Sequence, residues 1–134
     1  MKKLLIAFCA VLLLTACTTK EQTGLKESLV AKLKDDPDLK DYKLDPEPIA
    51  DCVVREIGET MPGFAGDPRR VKFFEAYNRF VNVKSAHEAE QSIADYQQLF
   101  GSAKQAREAA TNITNHLMTC MGLAIEKATP DTGE

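Results

Sequence analysis

Tryptophan is absent from this chain of 134 residues, histidine occurs twice and glycine only seven times. So few glycines, set against many Ala, Leu, Glu and Lys residues, disfavour a turn-rich β fold and favour helices. The sequence has no Gly-x-Ser-x-Gly nucleophile turn, no His-Glu-x-x-His zinc pair and no phosphate-binding loop. An excess of positive charge is also missing, because the formal net charge is −3. That excludes a general attraction to nucleic acid or to anionic lipid. No apolar run approaches the roughly 20 residues that a membrane-spanning helix needs. No repeat longer than a few residues is found.

The residues present at the N-terminus have a definite order. Met1-Lys2-Lys3 is basic, Leu4 to Leu14 is uninterrupted apolar sequence, and small Thr15 and Ala16 precede Cys17. This is the layout of an export signal and not of a buried core helix. Leu14-Thr15-Ala16-Cys17 resembles the lipobox of bacterial lipoproteins. The resemblance covers the first 17 residues alone; the rest of the chain resembles no family. It implies cleavage after Ala16 and a diacylglyceryl thioether on Cys17. A further acyl chain such as palmitate on the Cys17 amine is the usual accompaniment. Two or more chains, at about 0.8 kcal/mol per buried methylene, anchor stably. Thr18, in place of Asp, fits sorting to the periplasmic face of the outer membrane. Residues 1–16 are therefore expected as a cleaved signal, 17–24 as a polar tether, 25–128 as a helical domain and 129–134 as a disordered tail. Loss of Lys2 and Lys3 would deepen the acidic excess. Roughly 105 residues then remain to form one domain with a real core.

Of four cysteines, Cys9 leaves with the signal and Cys17 carries lipid. Cys52 and Cys120 would remain in an oxidising compartment, where a pair should close. Such a bridge encloses roughly seventy residues and is worth about 4 kcal/mol in the chain-entropy account. Redox-active thiols sit close together in sequence, so the pair is read as a staple.

Hydrophobic spacing predicts an all-α fold, a small bundle of four to five helices with one disulfide. Leu25, Leu29 and Leu33 stripe a short first helix, read as loosely docked. An acidic connector, Asp35–Glu47, follows; it lacks the spaced ligands and turn glycine of a calcium loop. Leu39, Tyr42 and Leu44 are its candidate anchors to the core. Asp45-Pro46 starts the second helix, whose arc is Ile49, Ala50, Val53, Val54, Ile57 and Met61. Cys52 falls toward the edge of that arc, so the bridge is expected near the rim of the core. Asp67-Pro68 repeats the start signal for a third helix, running to about Val83. Its Phe73, Phe74, Tyr77, Phe80 and Val81 cover an arc suited to core packing, with an aromatic ligand pocket as the alternative. Ser85 and Ser102 open capping-box patterns. They frame a fourth helix striped by Ala89, Ile93, Tyr96 and Phe100, ended by Gly101. The fifth helix, Ala103 to about Lys127, carries Ala106, Ala109, Ala110, Ile113, Leu117, Cys120, Met121 and Ala124 on one face.

Candidate chemistry is sparse. His87 belongs to a helix surface. His116 lies one turn before Cys120, with Met118 and Met121 nearby, and Met61 if the fold brings it close, as soft donors for reduced copper. Met118 points elsewhere, however, and a bridged Cys120 offers no thiolate. His116 is therefore read as a rim histidine, and no metal or cofactor is expected. Asp51, Glu56 and Glu59 are read as a solvated face and not as acid–base machinery. Arg69, Arg70, Lys72 and Arg79 form a basic island. Arg69, Arg70 and Arg79 are the candidate contacts for an acidic partner or for headgroups, against an ordinary polar flank. The expected function is a non-catalytic, lipid-anchored module that binds another envelope protein, with no nucleic acid. A carrier or sensor of a small apolar ligand is the second reading, and an envelope enzyme the last.

Overall fold

The computed structural model describes residues 19–129. Six helices and no strand occur among them: α1 (Lys20–Leu33), α2 (Pro37–Asp41), α3 (Pro46–Thr60), α4 (Arg69–Val81), α5 (Ala86–Phe100) and α6 (Ala103–Ala128). The expected bundle of five principal helices is present, and the sixth is the short α2. The signal, Cys17 and residues 130–134 lie outside the described residues.

Each helix starts where its capping chemistry allows. Asp45 accepts from the Glu47 amide at 3.0 Å, with Pro46 in the first turn, where a missing N–H costs nothing. Ser85 accepts from the Glu88 amide and Ser102 from the Gln105 amide, both at 3.1 Å. The Glu88 carboxylate reaches back to the Lys84 amide at 2.9 Å, one residue earlier than an ideal capping box. Gly101 ends α5 at φ 97°, a left-handed conformation that glycine adopts without strain.

Three expectations are corrected. The first helix begins at Lys20, so Lys20–Gly24, expected in the tether, are helical. Thr19 caps it by accepting from the Gln22 amide at 3.2 Å. Nor is that helix loosely docked. Leu25, Leu29 and Leu33 are all buried, and α1 lies between α3 and α4. Finally, the acidic connector contains α2, capped by Asp36 and pinned by buried Leu39, whereas Tyr42 is exposed.

Hydrogen bonds and close approaches set the helix directions. The Asn82 amide donates to the Ser28 hydroxyl at 2.9 Å, and Gly24 faces Asn78. Both pairs advance together, so α1 and α4 run parallel. Lys26 bridges to Glu47 and Asp51 near the start of α3, while the first turn of α1 lies beside the end of α3. Those two are antiparallel. α5 returns along α4, and α6 packs on α5, α3 and α4. The core runs through the Leu stripe of α1, Ile49, Val53 and Ile57 of α3, and the aromatic arc of α4.

Cys52 and Cys120 form the disulfide, with Cα atoms 5.9 Å apart, and tie α3 to α6 across 68 positions of sequence. Cys52 is half-buried as its edge position implies. Cys120 is buried, so the bridge reaches deeper than the rim.

Candidate functional site

The aromatic arc of α4 closes on itself. Phe73 and Tyr77 meet the Phe100 ring edge-on at centroid distances of 5.2 and 5.8 Å, and Phe80 meets Tyr96 edge-on at 6.0 Å. Edge-to-face contacts at these spacings match ring quadrupoles and fill the space a ligand would need. Burial pushes the Tyr77 hydroxyl above its ordinary value, so the phenol stays neutral. Tyr96 is raised as well, chiefly by burial and then by the Glu75 carboxylate. The core reading of this arc holds for every ring, Phe74 included.

Phe74 faces the other way and is buried beneath an open groove of about 950 Å³ bounded by α1, α3, the α3–α4 loop and the start of α4. Val54, Met61, Val71 and Phe74 supply its apolar surface, and Lys26, Asp51, Arg55, Glu59 and Arg70 its charges. Small residues hold it open, because Gly58, Gly63, Ala65 and Gly66 bring no bulk into it. Gly63 has φ +86°, and a side chain there would collide with the Asp67 carboxylate. Only glycine fits this corner without strain.

The charges divide into those already paired and those open to a ligand. Lys26 is held by Asp51 and Glu47, each at 2.9 Å, and these hydrogen bonds raise its ammonium above the ordinary lysine value. Asp67 accepts from both the guanidinium and the backbone N–H of Arg69. The guanidinium, then the backbone N–H, hold the Asp67 carboxyl below the usual carboxylate range. Arg55 and Glu59 are exposed and form no ion pair among the described residues. Arg70 is half-buried. It donates through Nη2 to the Gly58 carbonyl, while its buried Nε has no partner.

The basic island is therefore split. Arg69 is engaged by Asp67, Arg70 by Gly58 and Lys72 by Glu75. Arg79 sits in the last turn of α4 and does not join the groove. The acidic face also differs from expectation. Asp51 binds Lys26, Glu59 lines the groove, and Glu56 is half-buried with His116 Nδ1 3.9 Å from its Oε2. That pair lies one turn along from the disulfide on each helix, so Glu56 is not simply solvated. Met118 is exposed and Cys120 is bridged, so neither joins His116. Among the described residues no group of three His, Cys, Asp or Glu side chains could hold a metal.

Sequence reading missed the groove because three helices and a loop build it, and none of them carries a local signal for it. Compared with family models, with curated proteins and with solved structures, the chain matches none significantly.

Proposed function

We propose that this protein is a lipoprotein held by acyl chains on Cys17 at the periplasmic face of the outer membrane, where it binds another envelope protein without catalysis. The groove beside α1 carries the reading. It combines an apolar wall with exposed charges of both signs at Arg55 and Glu59. That is the mixed character of a non-obligate protein contact. The lipobox supports the anchor, and the Cys52–Cys120 bridge supports an oxidising compartment. Confinement by the anchor raises the local concentration of a membrane-bound partner. The self-filled aromatic arc weakens the ligand-carrier reading. For an enzyme, no side chains converge on a nucleophile or a carboxylate pair in this groove.

Site-specific photocrosslinking in cells tests the proposal. A photoreactive phenylalanine replacing Glu59 in the groove should capture one envelope protein. The same residue replacing exposed Thr114 on α6 should not, and Arg55→Glu should remove the product. No position-dependent product from the groove would overturn the reading.

A further inference from the structure

We infer that the α3–α4 loop is a second membrane contact, with Phe64 seated at the headgroup–acyl boundary of the phospholipid leaflet that holds the Cys17 chains. The inference rests on the anchoring of Cys17 proposed above.

The argument begins with reach. α1 is capped by Thr19, two residues from Cys17. Two residues of extended chain span at most about 7 Å, so the start of α1 stands close above the acyl chains. The parallel register of α1 and α4 then fixes what else lies at that height. Gly24 faces Asn78, and Ser28 bonds to Asn82, so Lys20 is level with Phe74. Arg69 lies five positions further down α4, roughly 7 Å at 1.5 Å per residue. That drop is no greater than the two-residue reach from Thr19 to Cys17. The end of α3 reaches this level from the other side. The loop between them therefore emerges within reach of the surface that the Cys17 chains would hold.

The loop has the composition for that position. Met61-Pro62-Gly63-Phe64-Ala65-Gly66-Asp67 carries a single charge, and Asp67 is buried against Arg69. Phe64 is 73% exposed, the most exposed of the large hydrophobic side chains among the described residues. An exposed ring on an otherwise neutral tip is costly in water and favourable at a bilayer interface. Lys20 and Arg69 are exposed at the same end, where they meet phosphate. The loop contact stands α1 upright and turns the mouth of the groove sideways, along the membrane.

Absence of Trp from the chain supplies the test. Acylated full-length mature protein is reconstituted in phosphatidylethanolamine–phosphatidylglycerol vesicles as Phe64→Trp and, at the opposite end of the bundle, as Tyr42→Trp. Cys17→Ser versions give the unanchored baseline. The expected result is a blue-shifted F64W emission that brominated acyl chains quench at least twofold, with Y42W unchanged. Intact mass and vesicle flotation report anchoring separately. Floating, acylated protein whose F64W emission stays water-like would overturn the loop contact alone. Protein that neither carries acyl mass nor floats would overturn the anchor and this inference with it. Equal quenching at both positions would also overturn it, since the bundle would then lie flat.

Discussion

The two faces of α4 have opposite fates although one apolar arc serves both. Toward α5, Phe73, Tyr77 and Phe80 meet Phe100 and Tyr96 and enclose one another. Toward α1 and α3, Phe74 is buried, but half-buried Arg70 and Val71 border an open groove. The difference lies in the neighbours and not in α4. α5 offers rings of matching bulk, whereas the other side offers Gly58, Gly63 and Gly66 with the polar first turn of α1. Apolar character on a helix thus says that a surface will be covered. Whether the chain itself or a partner covers it depends on what the fold places opposite.

The strongest challenge to this division is removal of the disulfide, because it ties the groove wall α3 to α6. Loss of a closed loop of this length should cost about 4 kcal/mol. Reduction, or Cys52→Ala with Cys120→Ala, is expected to lower the thermal midpoint sharply while helical circular dichroism persists at room temperature. Hydrogen exchange should then accelerate in α3 before it does in α4 and α5, which keep their ring contacts. Uniform acceleration across all helices would show that the two faces are one cooperative unit. Free thiols at both positions in nonreduced periplasmic material would refute the bridge itself.

Next in size is a pair of substitutions, one on each side. Phe80→Ala empties a closed space between Tyr77, Tyr96 and Phe100, so the cost should be about 3 kcal/mol. Arg55→Glu changes an exposed groove charge and should leave stability within about 0.5 kcal/mol, while removing the crosslink at position 59. Chemical denaturation read with the crosslinking yield separates the two. A stability loss at Arg55 comparable to that at Phe80 would mean that the groove wall is structural.

Much of this architecture could be read from the residues. Asp45-Pro46, Ser85, Ser102 and Gly101 mark helix ends through local hydrogen bonds, and local chemistry survives folding. The Cys52–Cys120 pairing followed from elimination and from the expected oxidising compartment. What failed was non-local or too short. Thr19 with Gln22 and Asp36-Pro37 are cap signals of the same kind. The first was masked because apolar spacing starts only at Leu25, and the second because five residues show no periodicity. The depth of α1 depends on α3 and α4 flanking it, which a three-leucine stripe cannot reveal. The approach of Glu56 to His116 and the groove itself join elements far apart in sequence. Phe64 drew no attention because a lone aromatic in a loop has no pattern to belong to.

The smallest expected effect concerns the corner where both faces begin. Asp67 is buried, yet its carboxyl is held below the usual range by the Arg69 guanidinium and backbone N–H. A carboxylate whose folded value lies below its unfolded one, near 4, binds protons more readily when unfolded. Its contribution is therefore complete above about pH 4 and disappears as pH falls through the folded value. Protonation would free Arg69 and loosen the start of α4 beside Gly63, the corner where a Cβ would meet the same carboxylate. Asp67→Asn keeps an oxygen for the Arg69 amide but removes the charge. It should flatten the stability-versus-pH curve below pH 4 while leaving the slope near neutrality unchanged, as read by denaturant titration across that window. The groove corner should also lose amide protection on acidification before the ring face does, because the contacts among Phe73, Phe80 and Phe100 involve no charged group. An unchanged acid limb in the variant would assign the pH dependence elsewhere, with the exposed Glu90–Arg107 pair, whose carboxyl is also lowered, as the next group to remove.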